Sequence, residues 1–407
     1  MKILLVHQNF PGQYKHLAPA LLKDPANEVV AFTMNQYPSA EGLRVIRYQA
    51  ARGTTRGVHP WVSDLETKVI RGDAAFRAAL ALRAEGFVPD VIMAHPGWGE
   101  SLFLKLVWPE SRLVIYCEFF YAAKGTDVGF DPEFARYDPA DACRLRMKNA
   151  NNFLHFDMAD AGVAPTEWQK STFPEPFRSR IEVIHDGIDT DAIRPDPSAW
   201  LKINGQVLTR EQEIITFVNR NMEPYRGYHT FMRALPELLA RRPNAQVLIV
   251  GGDGVSYGAK PPDGTTWKQI FLDEVKERLD LSRVHYLGHI EHKHFGYLLQ
   301  LSTVHVYLTY PFVLSWSLLE AMASGCTIVA SDTAPLREAI IEDETGRLVD
   351  FFDPAGLTEA VCRLLDDPAA RARLGRNARQ FAVTHYDLNR VCLPRTLDLV
   401  RRMADGG

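Results

Sequence analysis

Short apolar runs recur along this chain, and an amphipathic stretch follows most of them. Ile3–Val6 is such a run, with a helical pattern over Tyr14–Leu22 behind it. Glu28–Phe32, Val91–Ala94, Leu113–Tyr116, Ala159–Ala164 and Ile181–Ile184 repeat the theme. A strand buried on both faces reads as continuous apolar sequence, and its parallel neighbour has to be reached through a crossover helix. The alternation therefore predicts an α/β fold with parallel sheets. Asp73–Glu85 predicts an Ala-rich helix, closed by Gly86 and Pro89 before the next strand.

The texture changes at His185-Asp186-Gly187-Ile188-Asp189, which is turn chemistry, and at the extended Arg194-Pro195-Asp196-Pro197. A second alternating set follows. Ile214–Val218, Gln246–Val250, Val284–Leu287, Val304–Leu308 and Thr327–Ala330 predict strands. Tyr228–Arg241, Thr266–Leu279, Ser317–Ser324 and Pro335–Ile341 predict helices, and Phe295–Leu301 is a further apolar segment. The 407 residues exceed the roughly 250–300 that one core supports. The expectation is two doubly wound domains, residues 1–190 and 191–385, facing one another so that the crevice at the strands' carboxyl ends becomes an interdomain cleft. Residues 386–407 form a third segment, with a helix over Leu388–Met403.

Composition narrows the function class. A net charge of -4 supplies no basic field for nucleic acid or anionic lipid. The five cysteines are scattered with no metal-ligand spacing, so reduced thiols in a cytoplasmic protein are expected. Lys2–His7 is too short for a secretory core, and no apolar stretch approaches the roughly 20 residues of a membrane span. Peripheral contact with the inner membrane stays open as an alternative, and oligomeric state is not addressed by the sequence.

The most informative stretch runs from Ser315 to Gly325. A helix beginning near Ser315, Trp316 and Ser317 points unpartnered N–H groups outward, a natural site for a diphosphate. Glu320 lies too far along to cap that end. It suits a bidentate grip on two vicinal hydroxyls, such as those of a ribose; the plain alternative is a surface glutamate. Arg220 and Arg226 follow the first strand of the second half, and two guanidiniums a turn apart can converge on one diphosphate. The plain alternative is a pair of solvated loop arginines. Gly252, in Val250-Gly251-Gly252-Asp253-Gly254, permits close backbone approach. Gly288-His289 closes the next strand, where His289 can contact a base through backbone groups. His289, His292 and His294 alternate with charges, which favours a solvated turn over a metal site. No metal is expected.

The first half carries a parallel set. Gly12, between strand and helix, lets the backbone approach a phosphate or sugar. His95, Trp98 and Glu100 offer an imidazole, a stacking indole and a carboxylate at another strand end. Glu118 and Tyr121 leave a third; burial among its aromatic neighbours would raise the Glu118 pKa and suit it to acid/base or dipole-stabilising work.

Together these motifs resemble the retaining glycosyltransferases of family 4, with the GT-B fold of two Rossmann-like domains. The resemblance is strongest from Ala164-Pro165-Thr166-Glu167-Trp168 through His185–Asp189 to Glu338, and the first half is similar to a bacterial subgroup. Glu320 matches the second glutamate of the family's paired-glutamate motif, the usual ribose ligand. The first falls on Phe312, which removes the usual contact to the donor sugar; backbone N–H groups of Tyr310–Trp316 are the substitute. Arg220 matches the phosphate-binding arginine, and Arg226 replaces the family's lysine. The first-domain histidine falls on Glu118. The C-terminal helix crosses back to the first domain in relatives.

The resemblance implies transfer with retention, no obligatory metal, a UDP- or GDP-sugar donor and a glycan or glycolipid acceptor. Arg220, Arg226 and the helix start would stabilise the leaving group, and Glu118 positive character at the sugar. The rivals are a sugar-nucleotide epimerase and a non-catalytic sugar-nucleotide or glycan binder.

Overall fold

The computed structural model describes residues 1–37, 41–135 and 138–406. It divides into two compact units, one formed by Met1–Gly187 with Asn389–Gly407, the other by Ile188–Leu388.

The first unit holds β1 (Lys2–Val6), β2 (Glu28–Thr33), β3 (Leu43–Arg47), β4 (Val91–Ala94), β5 (Arg112–Tyr116), β6 (Ala161–Ala164) and β7 (Ile181–Val183). All pair in parallel, in the order β3-β2-β1-β4-β5-β6-β7. Its helices are α1 (Leu17–Leu21), α2 (Pro60–Ala84), α3 (Leu104–Val107), α4 (Ala140–Met158), α5 (Glu167–Thr172) and α6 (Glu175–Arg178). Both sheet faces are covered, which explains the unbroken apolar runs. Ile3, Leu5, Val29 and Ala31 pack with Leu17 and Leu21 of α1. Leu4, Val6, Val30 and Phe32 pack on the other face with Ala75 and Leu82 of α2 and Phe156 of α4.

The second unit opens with a hairpin, β8 (Leu201–Ile203) and β9 (Gln206–Leu208). Its main sheet contains β10 (Ile214–Asn221), β11 (Gln246–Gly252), β12 (Val284–Tyr286), β13 (Val304–Tyr307), β14 (Ile328–Ser331) and β15 (Arg347–Val349). These pair in parallel in the order β12-β11-β10-β13-β14-β15. The helices are α7 (Tyr228–Arg241), α8 (Trp267–Val275), α9 (His292–Leu301), α10 (Trp316–Ala323), α11 (Pro354–Asp366) and α12 (Pro368–Tyr386). Strand β10 shows how two faces are filled. Ile214 and Val218 join the cluster beneath α9 and α10, while Phe217 on the other face stacks on Phe231 of α7 at 4.3 Å between centroids.

The last helix, α13 (Leu393–Ala404), belongs to the first unit, where Leu399 and Val400 complete the α1-side core. Arg395 donates to the Val183 carbonyl and Arg402 to the Glu182 carboxylate. No described helix is long and apolar enough to cross a membrane.

Several elements differ from the sequence expectation. The helix expected over Asp73–Glu85 starts thirteen residues earlier, at Pro60, because His59 caps it and Pro60 starts it. The helix expected over Pro335–Ile341 is only a 3₁₀ turn, Leu336–Glu338. Thr345 accounts for the early stop: its hydroxyl accepts from the Ile341 N–H and donates to the Ala339 carbonyl.

Candidate active site

In a doubly wound sheet the crevice opens where strand order reverses, beyond the carboxyl ends. In the second unit that point lies between β10 and β13. Arg220 is exposed at the end of β10, and the segment leading into α10 follows β13.

Ser315 is the N-cap of α10. Its hydroxyl accepts from the Ser317 N–H at 3.3 Å, and Ser317 Oγ donates to it at 2.9 Å. Its own N–H donates to the Tyr307 hydroxyl at 2.9 Å. The capping groups are therefore consumed in holding the helix start. The N–H groups of Val313 and Leu314, just before it, have no partner among the described residues. Trp316 is exposed, and Glu320 is mostly enclosed, its side chain 13% exposed. His292 Nε2 donates to Glu320 Oε1 at 2.8 Å. The segment expected as a solvated turn therefore starts α9 and orients the glutamate.

Arg226 is not a solvated partner of Arg220. It is 5% exposed, donates to Thr309 Oγ1 at 2.7 Å and to the Val313 carbonyl at 3.1 Å, and lies over the Tyr257 ring. Burial opposes its charge, and the surrounding Tyr307, Tyr257 and Tyr225 rings hold it charged. Phe312 is 9% exposed and packs edge-on against Tyr225, with Tyr257 5.3 Å away. Glu223, fully buried, accepts from the N–H groups of Ser256, Tyr257 and Gly258 and so ties that loop to β10. The space beside Gly252 is taken by protein, since a Cβ there would lie 2.4 Å from His289 Nε2 and 2.8 Å from Asn221 Oδ1.

The first unit reverses between β1 and β4, and an imidazole–aromatic cluster sits there. His7, at the end of β1, meets His95 edge-on at 5.3 Å and Trp98 at 4.9 Å. His95 stacks on Tyr116, whose hydroxyl donates to Asp186 at 3.0 Å. Burial pushes the His7 pKa down to about 4 and that of His95 to about 3, so both are neutral. His95 Nε2 stands 3.8 Å from Glu118 Oε2. With His95 neutral this is no ion pair. The Glu118 side chain is 46% exposed, so it is not enclosed among its aromatic neighbours.

Three other expectations meet a different geometry. Gly12 has φ 45, and a Cβ on it would lie 2.3 Å from the His7 ring, so the space beside it is filled by protein. Tyr121 is half-buried, its ring under Lys148 Nζ at 3.7 Å and its backbone bonded to Asn149. Glu100 is fully buried. Its carboxylate faces the Tyr48 hydroxyl outside good hydrogen-bond geometry. Burial raises its pKa to about 7, against smaller opposing effects of its backbone, Tyr48, Arg71 and Lys68.

Residues 25–193 match the glycosyl transferase family 4 group, and residues 201–381 match glycosyl transferases group 1. Glycogen synthase of Mycobacterium tuberculosis is 30% identical over 416 residues, covering 95% of this chain and 91% of that protein. The chain belongs to the family 4 glycosyltransferases. Among solved structures, sucrose-phosphate synthase from Thermosynechococcus elongatus superposes with TM-score 0.74 at 19% identity over 100% of both chains. Anabaena HepE in complex with UDP gives 0.67 at 16%, over 98% of this chain and 100% of that one. The architecture is GT-B, and this family 4 member moves a sugar from a nucleotide-sugar donor.

Within this glycosyltransferase, three contributors escaped the sequence reading. His292 is the partner of Glu320, Glu223 anchors the 256–258 loop, and His7 holds the first-unit cluster. His7 had a readable signal, as a polar residue ending a buried strand. His292 and Glu223 act across 28 and up to 35 positions respectively, beyond any local pattern.

Proposed function

We propose that the second unit binds the donor, a UDP- or GDP-sugar, at its switch point. Arg220 and the N–H groups of Val313 and Leu314 hold the diphosphate, with the α10 dipole behind them. Glu320, oriented by His292, grips the ribose; Gly252 and His289 form the edge beside the base. Arg226 acts from behind: it fixes the Thr309–Val313 loop that presents those N–H groups, and its charge offsets that of the leaving diphosphate.

The observation that carries this reading is the convergence on one switch point. An exposed arginine ends β10, two unpaired N–H groups precede α10, and a partly enclosed carboxylate lies on that helix. Transfer proceeds with retention and without an obligatory metal, through a front-face ion pair in which the leaving diphosphate takes the acceptor's proton. The acceptor is a glycan or glycolipid hydroxyl. His95 and Trp98 contribute an imidazole edge and a stacking face on the first unit, and the exposed Glu118 steadies positive charge at the sugar. The setting is the cytoplasm, where five cysteines outside any disulfide persist as thiols.

The test is a donor panel with UDP-, GDP- and ADP-sugars. Arg220→Ala and Glu320→Ala should each lower kcat/KM by about a hundredfold or more, on the order of 3 kcal/mol, with melting temperature unchanged. Wild-type turnover in both would refute the assignment. Product NMR should show the donor's anomeric configuration, and a chelator should leave the rate unaltered.

A further inference from the structure

The second unit carries a cavity of about 400 Å³ beside the amino-terminal ends of β13 and β14. It lies between the first half of α12, the Leu301–Thr303 turn before β13 and the Gly325–Thr327 turn before β14. Helix α10 separates it from Ser315 by eight residues, about 12 Å. Arg379 ties the two together by donating to the carbonyl of Ala323, the last residue of α10.

Four arginines line this cavity, Arg210, Arg371, Arg376 and Arg379, and no carboxylate does. Arg210 and Arg376 are exposed and make no hydrogen bond or ion pair among the described residues, though Asp196 lies within electrostatic reach of Arg210. Arg371 uses one terminal nitrogen on the Leu364 and Leu365 carbonyls, which leaves its Nε and other terminal nitrogen unengaged. Arg379 caps carbonyls of Thr190, Ile193 and Ala323. Carboxylates nearby are committed elsewhere: Glu213 and Asp366 bond Arg242, Asp196 bonds Ser198, and Asp367 caps α12. Burial, with Arg194 next in weight, holds the Arg379 pKa below the usual arginine range; burial does the same for Arg371.

Solvated surface arginines are common, but they ordinarily pair with acids or spread apart. Here four share one concavity whose lining includes no carboxylate. Acids beyond the lining lie within electrostatic reach, and the Ser302 and Thr303 hydroxyls are bonded within the fold. Planar guanidiniums match phosphate oxygens two at a time. We propose that this cavity is a second anion site, which takes the phosphate group of a small phosphorylated metabolite. Its volume leaves room for a sugar-sized body attached to that group.

Calorimetric titration with inorganic phosphate, against sodium chloride at equal ionic strength, tests the site. The double variant Arg210→Ala/Arg376→Ala removes the two unpaired guanidiniums and leaves the carbonyl caps intact, so it should melt as wild type does. It should lose phosphate affinity tenfold or more, while Arg220→Ala, in the donor site, retains it. Phosphate affinity unchanged in the double variant, or heat no larger than that from chloride, would overturn the proposal. Because the two variants lie in different sites, failure here leaves the donor-site assignment standing.

Discussion

A carboxyl group with no exposed surface must find donors or keep its proton, and Glu100 does the second up to about neutral pH. Its pKa is about 7 in the folded unit against 4.5 for an ordinary glutamate. Below about pH 4.5 both states hold the proton, and stability is undiminished. Between those values only the unfolded chain ionises, so folding weakens as pH rises; above about pH 7 the loss is complete, at roughly 3 kcal/mol. Glu100→Gln should therefore raise the melting temperature at about pH 8 and change little at about pH 4.5. An equal gain at both would assign the effect to packing. The buried His155 works in the opposite sense. Its Nδ1–H donates to the Asn151 carbonyl, its Nε2 accepts from Ser101, and burial holds its pKa near 4, so it costs stability as pH falls below about 6.5. At this scale the sequence marks candidate residue types. Whether a carboxylate ends exposed, as Glu118, or sealed, as Glu100, depends on what packs over it.

Helix α2 shows the same limit for elements. Its second half was legible from alanine content, and its first half was not, because Val62–Gly72 carries no such pattern. Gly72 sits in mid-helix where a Cβ would lie 2.9 Å from the Gly99 carbonyl oxygen. Gly99 has φ 96, and its Cβ would lie 2.4 Å from the Lys68 carbonyl oxygen. The loop bearing His95 and Trp98 is thus seated on α2 backbone to backbone. Gly99→Ala should cost on the order of 2–4 kcal/mol, from the left-handed backbone and the clash together. Thermal melting measures the loss, and nucleotide binding by the second unit should survive. A variant as stable as wild type would show that the loop is not seated there.

The whole chain leaves its first unit at Gly187 and returns to it at Asn389, so the termini share one core. Leu399 on α13 has no exposed surface there. Leu399→Asp should destabilise the first unit by about 4 kcal/mol or more, since an unpaired charge enters an apolar core. Limited proteolysis would read this as cleavage confined to residues before 188 and after 388; cleavage spread evenly over both units would argue against a separate first-unit core. Apolar runs and their spacing already carried the two parallel sheets, because strands buried on both faces admit no polar interruption. They carried the helix start at Ser315 and the carboxylate at Glu320 as well, because caps and helical spacing are local. Folding alone paired His292 with Glu320, buried Arg226 under the loop it supports, sealed Glu100, and gathered four arginines from positions 210 to 379 around one cavity. Each of those depends on contacts between residues far apart in the chain, where burial and electrostatics act through space.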